Sequence, residues 1–142
     1  MYRHILIPTD GSELAEHGVA HGLALAKSLA AKVSVIFVVE PISELTGRFL
    51  EAVATYAQLR REQATSVLDR AANAAKEAGV SCKTIQVENG QPHQAIIAAA
   101  EDRGCDLIVM SSHGRSGLSA LLIGSVTNKV LTHAKTPVLV CQ

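Results

Sequence analysis

The stretch from Ser111 to Ser125, SSHGRSGLSALLIGS, combines three glycines (Gly114, Gly117 and Gly124) with five serines. An apolar run before it, Leu107-Ile108-Val109-Met110, predicts a buried strand. Val126-Thr127-Asn128-Lys129-Val130-Leu131 after it predicts a helix with Ser125 at its cap. A strand, a small-residue loop and a helix start together hold anions: backbone N–H groups converge there and the helix dipole favours negative charge. Phosphate is the group this stretch suits.

Arg115 is the one cation in the stretch. It is either a solvated surface charge or a phosphate partner through its fork of donors. His113 adjoins Gly114 and has the ordinary role of a solvated hydrogen-bonder in a polar loop, with phosphate contact or base catalysis as the rarer alternative. No nucleophile, base and orienting group form a set, so no catalytic residue is assigned. Near the other end of the chain, Thr9-Asp10-Gly11-Ser12 is a turn rich in cap formers. Asp10 either caps the following helix or, at a strand end, accepts from a nucleotide's amine or sugar hydroxyls or helps hold Mg²⁺ through the phosphates. His17 and His21 stand four apart, a metal-binding spacing, but with no third ligand they read as surface histidines and no metal site is assigned.

Several catalytic patterns come close and fail on one residue each. The P-loop needs Gly-Lys-Ser/Thr, and Gly124-Ser125 lacks the lysine. A nucleophile elbow needs GxSxG, and Gly114-Arg115-Ser116-Gly117-Leu118 ends in Leu. GxGxxG is missing after the first strand, which disfavours a nicotinamide or flavin dinucleotide. Pro8 stands where a haloacid-dehalogenase-type phosphatase places its nucleophilic Asp. A receiver-type phosphoaccepting Asp after the third strand is replaced by Glu88-Asn89-Gly90.

These residues need a scaffold, and the chain supplies alternating elements. His4-Ile5-Leu6-Ile7 reads as a central parallel strand buried on both faces. A helix to about Ala31 follows, with Asp10 or Ser12 as its cap and Leu14, Ala20, Leu23, Ala24 and Ala30 as its apolar stripe. Val33 to Val39 is a β-branched strand stopped by Glu40-Pro41. A long helix from about Arg48 to Ala78 carries Phe49, Val53, Tyr56, Val67, Ala71, Ala75 and Ala78 at helical spacing, with Leu59-Arg60-Arg61-Glu62-Gln63 as a solvated face and Gly79 as its stop. Val80 to Val87 alternates, as a strand nearer a sheet edge does. A helix over Gln94 to Arg103, the strand Asp106 to Met110, the helix Ser125 to about His133 and the strand Val138 to Cys141 complete the series. The β-α-β-α-β-α-β-α-β order predicts a parallel sheet with right-handed crossovers and helices on both faces. Ligands of such sheets lie beyond the carboxyl ends of strands where strand order reverses, which would bring Asp10 and Ser111 to one crevice.

At 142 residues, 48% hydrophobic and 18% charged, the chain predicts one folded domain spanning 1–142. Net charge is zero, with 13 basic and 13 acidic residues, which disfavours nucleic acid as a partner. No apolar stretch approaches a membrane span, and the N-terminus does not read as a signal peptide. Cys82, Cys105 and Cys141 are far apart and form no CxxC pair, as expected of reduced, mostly buried thiols in a cytoplasmic protein.

Ile5-Leu6-Ile7-Pro8-Thr9-Asp10-Gly11-Ser12 and Gly114-Arg115-Ser116-Gly117 … Gly124-Ser125-Val126, then Thr136-Pro137-Val138-Leu139-Val140, resemble the universal stress protein family at both ends of the chain. Its ATP-binding branch carries Gly, two residues, Gly, nine residues, then Gly-Ser/Thr. Gly114, the nine-residue spacer and Gly124-Ser125 match, and Ser111 stands in place of the first glycine. Serine is small, and its hydroxyl can serve a phosphate or ribose, but a positive φ at that position would cost it what glycine avoids.

The resemblance implies a three-layer α/β fold, Rossmann-like and akin to the adenine nucleotide alpha hydrolases, with an open five-stranded parallel sheet of order 3-2-1-4-5. It implies ATP with Mg²⁺ as the ligand. Pro8, Thr9 and Asp10 would line the base and ribose side, Val38 would contact adenine and Met110 would close the floor. Ser111, Gly114, Arg115, Ser116, Gly124, Ser125 and Val126 would surround the ribose and phosphates. The implied role is a small cytoplasmic stress-response or signalling module that passes its bound or empty state to a protein partner. Hydrolysis would be slow at most, since no positioned base or P-loop lysine is evident. The alternatives are a dimeric interaction module of the same fold that binds no nucleotide, and a true ATPase or phosphotransferase. The resemblance also implies a homodimer, with strand 138–141 at a sheet edge pairing antiparallel across a two-fold axis.

Overall fold

The computed structural model of the chain describes residues 1–41, 50–113 and 122–142. Strands β1 (His4–Pro8), β2 (Lys32–Val39), β3 (Cys82–Glu88), β4 (Leu107–Ser111) and β5 (Val138–Cys141) alternate with helices α1 (Glu13–Leu29), α2 (Leu50–Ala78), α3 (Pro92–Asp102) and α4 (Ser125–His133). The strands form one sheet of order β3-β2-β1-β4-β5, and each neighbouring pair is parallel. Fold class and strand order are those expected.

Side-chain alternation along the strands divides the core in two. Ile5, Ile7, Val33, Val35, Phe37 and Val109 pack under α1 and α2. Leu6, Ile36, Ile85, Ile108 and Met110 pack under α3 and α4. Central strand β1 is buried at all five positions, because helices cover both its faces. Among the described residues no helix is long and apolar enough to cross a membrane.

Three sequence expectations need correction. First, α1 buries Leu23 and half-buries Leu14 of the expected stripe, but Ala20, Ala24 and Ala30 are exposed, and the buried face is Ala15, Gly18, Val19, Gly22, Leu23 and Ala26. The reason is proximity to the sheet. A Cβ on Gly22 would lie 2.5 Å from Ile7 Cδ1 and 2.9 Å from Ile7 Cγ1, so α1 seats against β1 through glycines that an apolar pattern ignores. Second, α1 ends at Leu29, because Ala30 adopts the left-handed conformation (φ 54°, ψ 37°) and its N–H donates back to the carbonyls of Ala26 and Lys27. Third, Tyr56 is 48% exposed, so the expected apolar spacing along the first half of α2 does not bury it. Burial of α2 is concentrated at Ala64, Val67, Leu68, Ala71 and Ala75. Phe49, also expected on that stripe, lies outside the described residues. The helix stops as anticipated at Gly79, whose φ is 73°, and strand β3 begins at Cys82, two residues later than expected.

Cys105 is buried, and Cys82 and Cys141 are half-buried; all three are free thiols. Burial, then the Asp106 charge, pushes the Cys105 thiol up to about 11, and burial raises Cys82 and Cys141 as well. None is poised as a thiolate nucleophile.

Candidate functional site

β1 pairs with β2 on one side and with β4 on the other, so the chain order reverses between β1 and β4. A cleft lies at their carboxyl ends, where this topology places ligands. The cleft has a volume of about 250 Å³. Its apolar lining includes Ile36 and Val38 of β2, Met110 of β4, Pro92 and Ile96 of α3, and Val126 of α4. Its polar lining includes Thr9, Asp10 and Ser111, and Ser125 and Thr127 at the start of α4, with Gly124 beside them.

The first polar wall is a turn built by its own side chains. Thr9 N–H donates to the Ile36 carbonyl at 2.9 Å, carrying the β1–β2 ladder one residue past Pro8. Thr9 Oγ1 then accepts from Gly11 N–H at 3.2 Å, and Asp10 Oδ1 accepts from Ser12 N–H at 3.0 Å. Of the two cap candidates, Ser12 caps α1, its hydroxyl accepting from Ala15 N–H at 3.2 Å, while Asp10 braces the turn. Gly11 holds φ 80°, and a Cβ there would meet Val67 Cγ2 at 2.8 Å, so only glycine fits between this turn and α2.

The second wall is strapped to the sheet and to α4. Thr127 Oγ1 donates to the Ser111 carbonyl at 2.9 Å, and Ser111 Oγ donates to the His113 carbonyl at 2.7 Å. Ser112 N–H donates to the Cys141 carbonyl at 2.8 Å, and Gly124 N–H donates to the Ser112 carbonyl at 2.7 Å. Ser111 does not have a positive φ, so the strain that serine would suffer in place of glycine does not arise. Gly124, and not Ser125, is the N-cap of α4; Ser125 is the first helical residue. The first residues of α4 line the cleft, and a helix start favours an anion.

Of the residues singled out in the sequence, Pro8, Thr9, Asp10, Val38, Met110, Ser111, Gly124, Ser125 and Val126 all line the cleft. Gly114, Arg115 and Ser116 lie outside the described residues. Two lining residues run against the sequence expectation. Arg60 belongs to no purely solvated face: its guanidinium carbon lies 5.5 Å from the centroid of the Phe37 ring, and its Nη1 donates to Gln63 Oε1 at 2.6 Å. His113 is only 6% exposed and no solvated hydrogen-bonder. Its Nδ1 pairs with Ser112 Oγ at 3.0 Å, while Nε2 is buried with no partner among the described residues. A buried unpaired ring nitrogen typically costs about 1–3 kcal/mol. Sequence spacing has no signal for Arg60, which reaches the cleft from a helix far away in the chain. His17 and His21 are exposed on α1, and no group of three metal-ligating side chains occurs among the described residues.

Comparison with known proteins adds a family context. The family model described as "Universal stress protein family" matches residues 1–142. The chain is similar to universal stress protein MJ0531 of Methanocaldococcus jannaschii, 36% identical over 145 residues that span all of this chain and 83% of the relative. It is also similar to universal stress protein MJ0577 of the same organism, 32% identical over 156 residues covering all of this chain and 96% of the relative. The solved structure of MJ0577 superposes with a TM-score of 0.77, covering 99% of this chain and 95% of that one. A solved universal stress protein in complex with cAMP superposes with a TM-score of 0.71 at 25% identity, covering 99% of this chain and 97% of that one.

Proposed function

The chain belongs to the universal stress protein family, and on that premise we propose that it binds ATP, with Mg²⁺, in the cleft at the carboxyl ends of β1 and β4. The observation that carries this is the mixed lining of the cleft. Ile36, Val38, Pro92, Ile96 and Met110 offer apolar surface for a base, and the small residues from Gly124 to Thr127 at the head of α4 suit phosphates. Thr9 and Asp10 add polar groups suited to a ribose. The cAMP-bound relative supports an adenine nucleotide as the ligand class. The family pattern adds Gly114, Arg115 and Ser116 to the phosphate side.

Among the described lining residues the carboxylates are Asp10 and Glu40, and there is no lysine. Mg²⁺ would therefore be held chiefly by phosphate oxygens and water, with Asp10 as the carboxylate nearest to hand. When bound, the ion would neutralise phosphate charge. The rest of the work falls to the chain: it seats the base, orients the ribose and offers amides to the phosphates. With no positioned base to activate water and no lysine to hold the phosphates among the described lining residues, hydrolysis is proposed to be slow at most.

The role that follows is a small cytoplasmic stress-response or signalling module whose bound and empty states are read by a protein partner. β5 is an edge strand with Leu139 37% exposed, which supports a homodimer formed by antiparallel pairing of residues 138–141. A monomer by light scattering at micromolar concentration would remove the dimer.

Calorimetry with ATP and Mg²⁺ tests the central proposal, together with chromatography of any nucleotide released on denaturing the purified protein. A saturable heat, or adenine nucleotide in the supernatant, supports it. No heat and no thermal shift at millimolar ATP and Mg²⁺ overturns it.

A further inference from the structure

We propose that His93 of α3 and His133 of α4 form a two-imidazole site for a divalent transition-metal ion of the Zn²⁺ or Cu²⁺ type, outside the cleft and independent of the nucleotide reading. Three observations carry it. The rings come from different helices and meet with centroids 5.8 Å apart and planes tilted by 45°. Two imidazoles on one tetrahedral Zn²⁺, each nitrogen about 2.0–2.1 Å from the ion, put their ring centres about 5 Å apart, so a small turn of either side chain closes this pair on an ion. His133 is exposed and His93 half-buried, so water can reach the pair and complete the coordination. His133 Nδ1 lies 2.9 Å from the Lys129 carbonyl oxygen. A carbonyl only accepts, so Nδ1 carries the proton and Nε2 keeps its lone pair. Histidines that ligate metals are oriented by this same bond from the second ring nitrogen.

Imidazole pairs suit Zn²⁺, Cu²⁺ or Ni²⁺ and not the hard cations Mg²⁺ and Ca²⁺. Among the described residues no third side chain joins the pair, so the remaining positions on the ion belong to water. His133 is the last residue of α4, at the end of the helix dipole that favours a cation. Lys129 is the charged group beside the pair. Burial first, then the charges of Lys129 and His133, lower the His93 pKa, which keeps that ring in the neutral form that ligates. The Lys129 charge also opposes the ion, but its side chain is exposed and water screens it. Neither histidine lines the cleft, although Pro92 and Ile96 of α3 and Val126 of α4 do. A bound ion would therefore clip together two helices that share one cleft.

Nitrogen NMR of the histidine rings during titration with Zn²⁺, in the absence of nucleotide, tests this. In the wild type the ring resonances of His93 and His133 should shift together with one midpoint, at lower Zn²⁺ than those of His17 and His21. His93→Gln should raise the Zn²⁺ midpoint read at His133 about ten-fold, and His133→Gln should do the same at His93, because each ring alone loses the help of the other. His21→Gln should leave both midpoints where they are. Should either variant fail to fold, the shared wild-type midpoint carries the test. Separate midpoints for His93 and His133 overturn the proposal, as do shifts confined to other histidines. A midpoint at one ring that ignores loss of the other overturns it too, since rings that merely pack would bind independently. None of these outcomes bears on ATP, which calorimetry tests separately.

Discussion

Gly18 of α1 lies against Ser111 at the end of β4: a Cβ on Gly18 would stand 3.3 Å from the Ser111 backbone nitrogen and 3.6 Å from its Cβ. The helix that begins at one cleft wall therefore sets the position of the other. Gly18→Ala adds helix propensity worth about 1 kcal/mol, which offsets the crowding, so the melting temperature should change little. Ser111 must shift by a few tenths of an ångström to make room, and ATP affinity should fall about five-fold, roughly 1 kcal/mol. Calorimetry alongside thermal melting checks both. An unchanged affinity would show that Ser111 is not held by α1.

Ser125 is the exposed first residue of α4. An aspartate there is favourable to the helix by about 0.3–1 kcal/mol, because it faces the positive end of the dipole. The same charge would repel a bound phosphate. Ser125→Asp should keep or raise the melting temperature and weaken ATP binding by about 100-fold or more. A stable variant that still binds ATP would move the phosphates away from α4.

Ala30 is the one described non-glycine residue with a positive φ, and it is exposed. Its left-handed conformation costs an L-residue about 1–2 kcal/mol, against a smaller entropic cost for glycine. Ala30→Gly should stabilise the fold by about 0.5–1 kcal/mol in urea denaturation, with nucleotide affinity unchanged.

His4 sits at the amino end of β1, far along the strand from the cleft, 8% exposed, with Nε2 2.8 Å from Ser34 Oγ. Burial, and then the Lys32 charge, lowers its pKa below the ordinary 6.5. A group whose folded pKa is depressed supports the fold above its unfolded pKa. That support declines as pH falls from about 6.5 toward the folded value. The urea midpoint should drop between pH 7 and pH 5, and His4→Gln should flatten that slope. Asp106 is also depressed: burial pushes its carboxyl up, but the N–H groups of Arg3, His4 and Asp106 itself outweigh that. Its stabilisation is lost only on further acidification, below about pH 4, so the two effects separate.

The legible part of the site was the part carried by local chemistry. Thr9 to Ser12 reads as a turn because each residue bonds within two or three positions of itself, and the observed bonds among Thr9, Asp10, Gly11, Ser12 and Ala15 are all of that range. Gly124-Ser125 reads as a helix start for the same reason, and the boundary moved by one residue. Arg60 and the buried state of His113 were not legible. Arg60 reaches the cleft through a cation–ring contact to Phe37, which a linear pattern cannot contain. His113 stands in a polar, glycine-rich stretch that suggests exposure, yet it is buried, following Ser111 and Ser112, whose backbones are bonded to Thr127, Cys141 and Gly124.

By itself, the sequence determined the alternation of strands and helices, the parallel sheet, and the two loops able to meet a phosphate. These follow from hydrophobic period, caps and turn residues, which act over a few positions. Only the tertiary structure decided which face of α1 is buried. The close approach to Ile7 and Ser111 selects Gly18 and Gly22, and glycines carry no hydrophobic signal. It also decided that Ser111 lies in an ordinary strand conformation, and that two imidazole nitrogens, His4 Nδ1 and His113 Nε2, are buried without a partner among the described residues. Burial and pairing are properties of what surrounds a group, and those surroundings come from segments far apart along the chain.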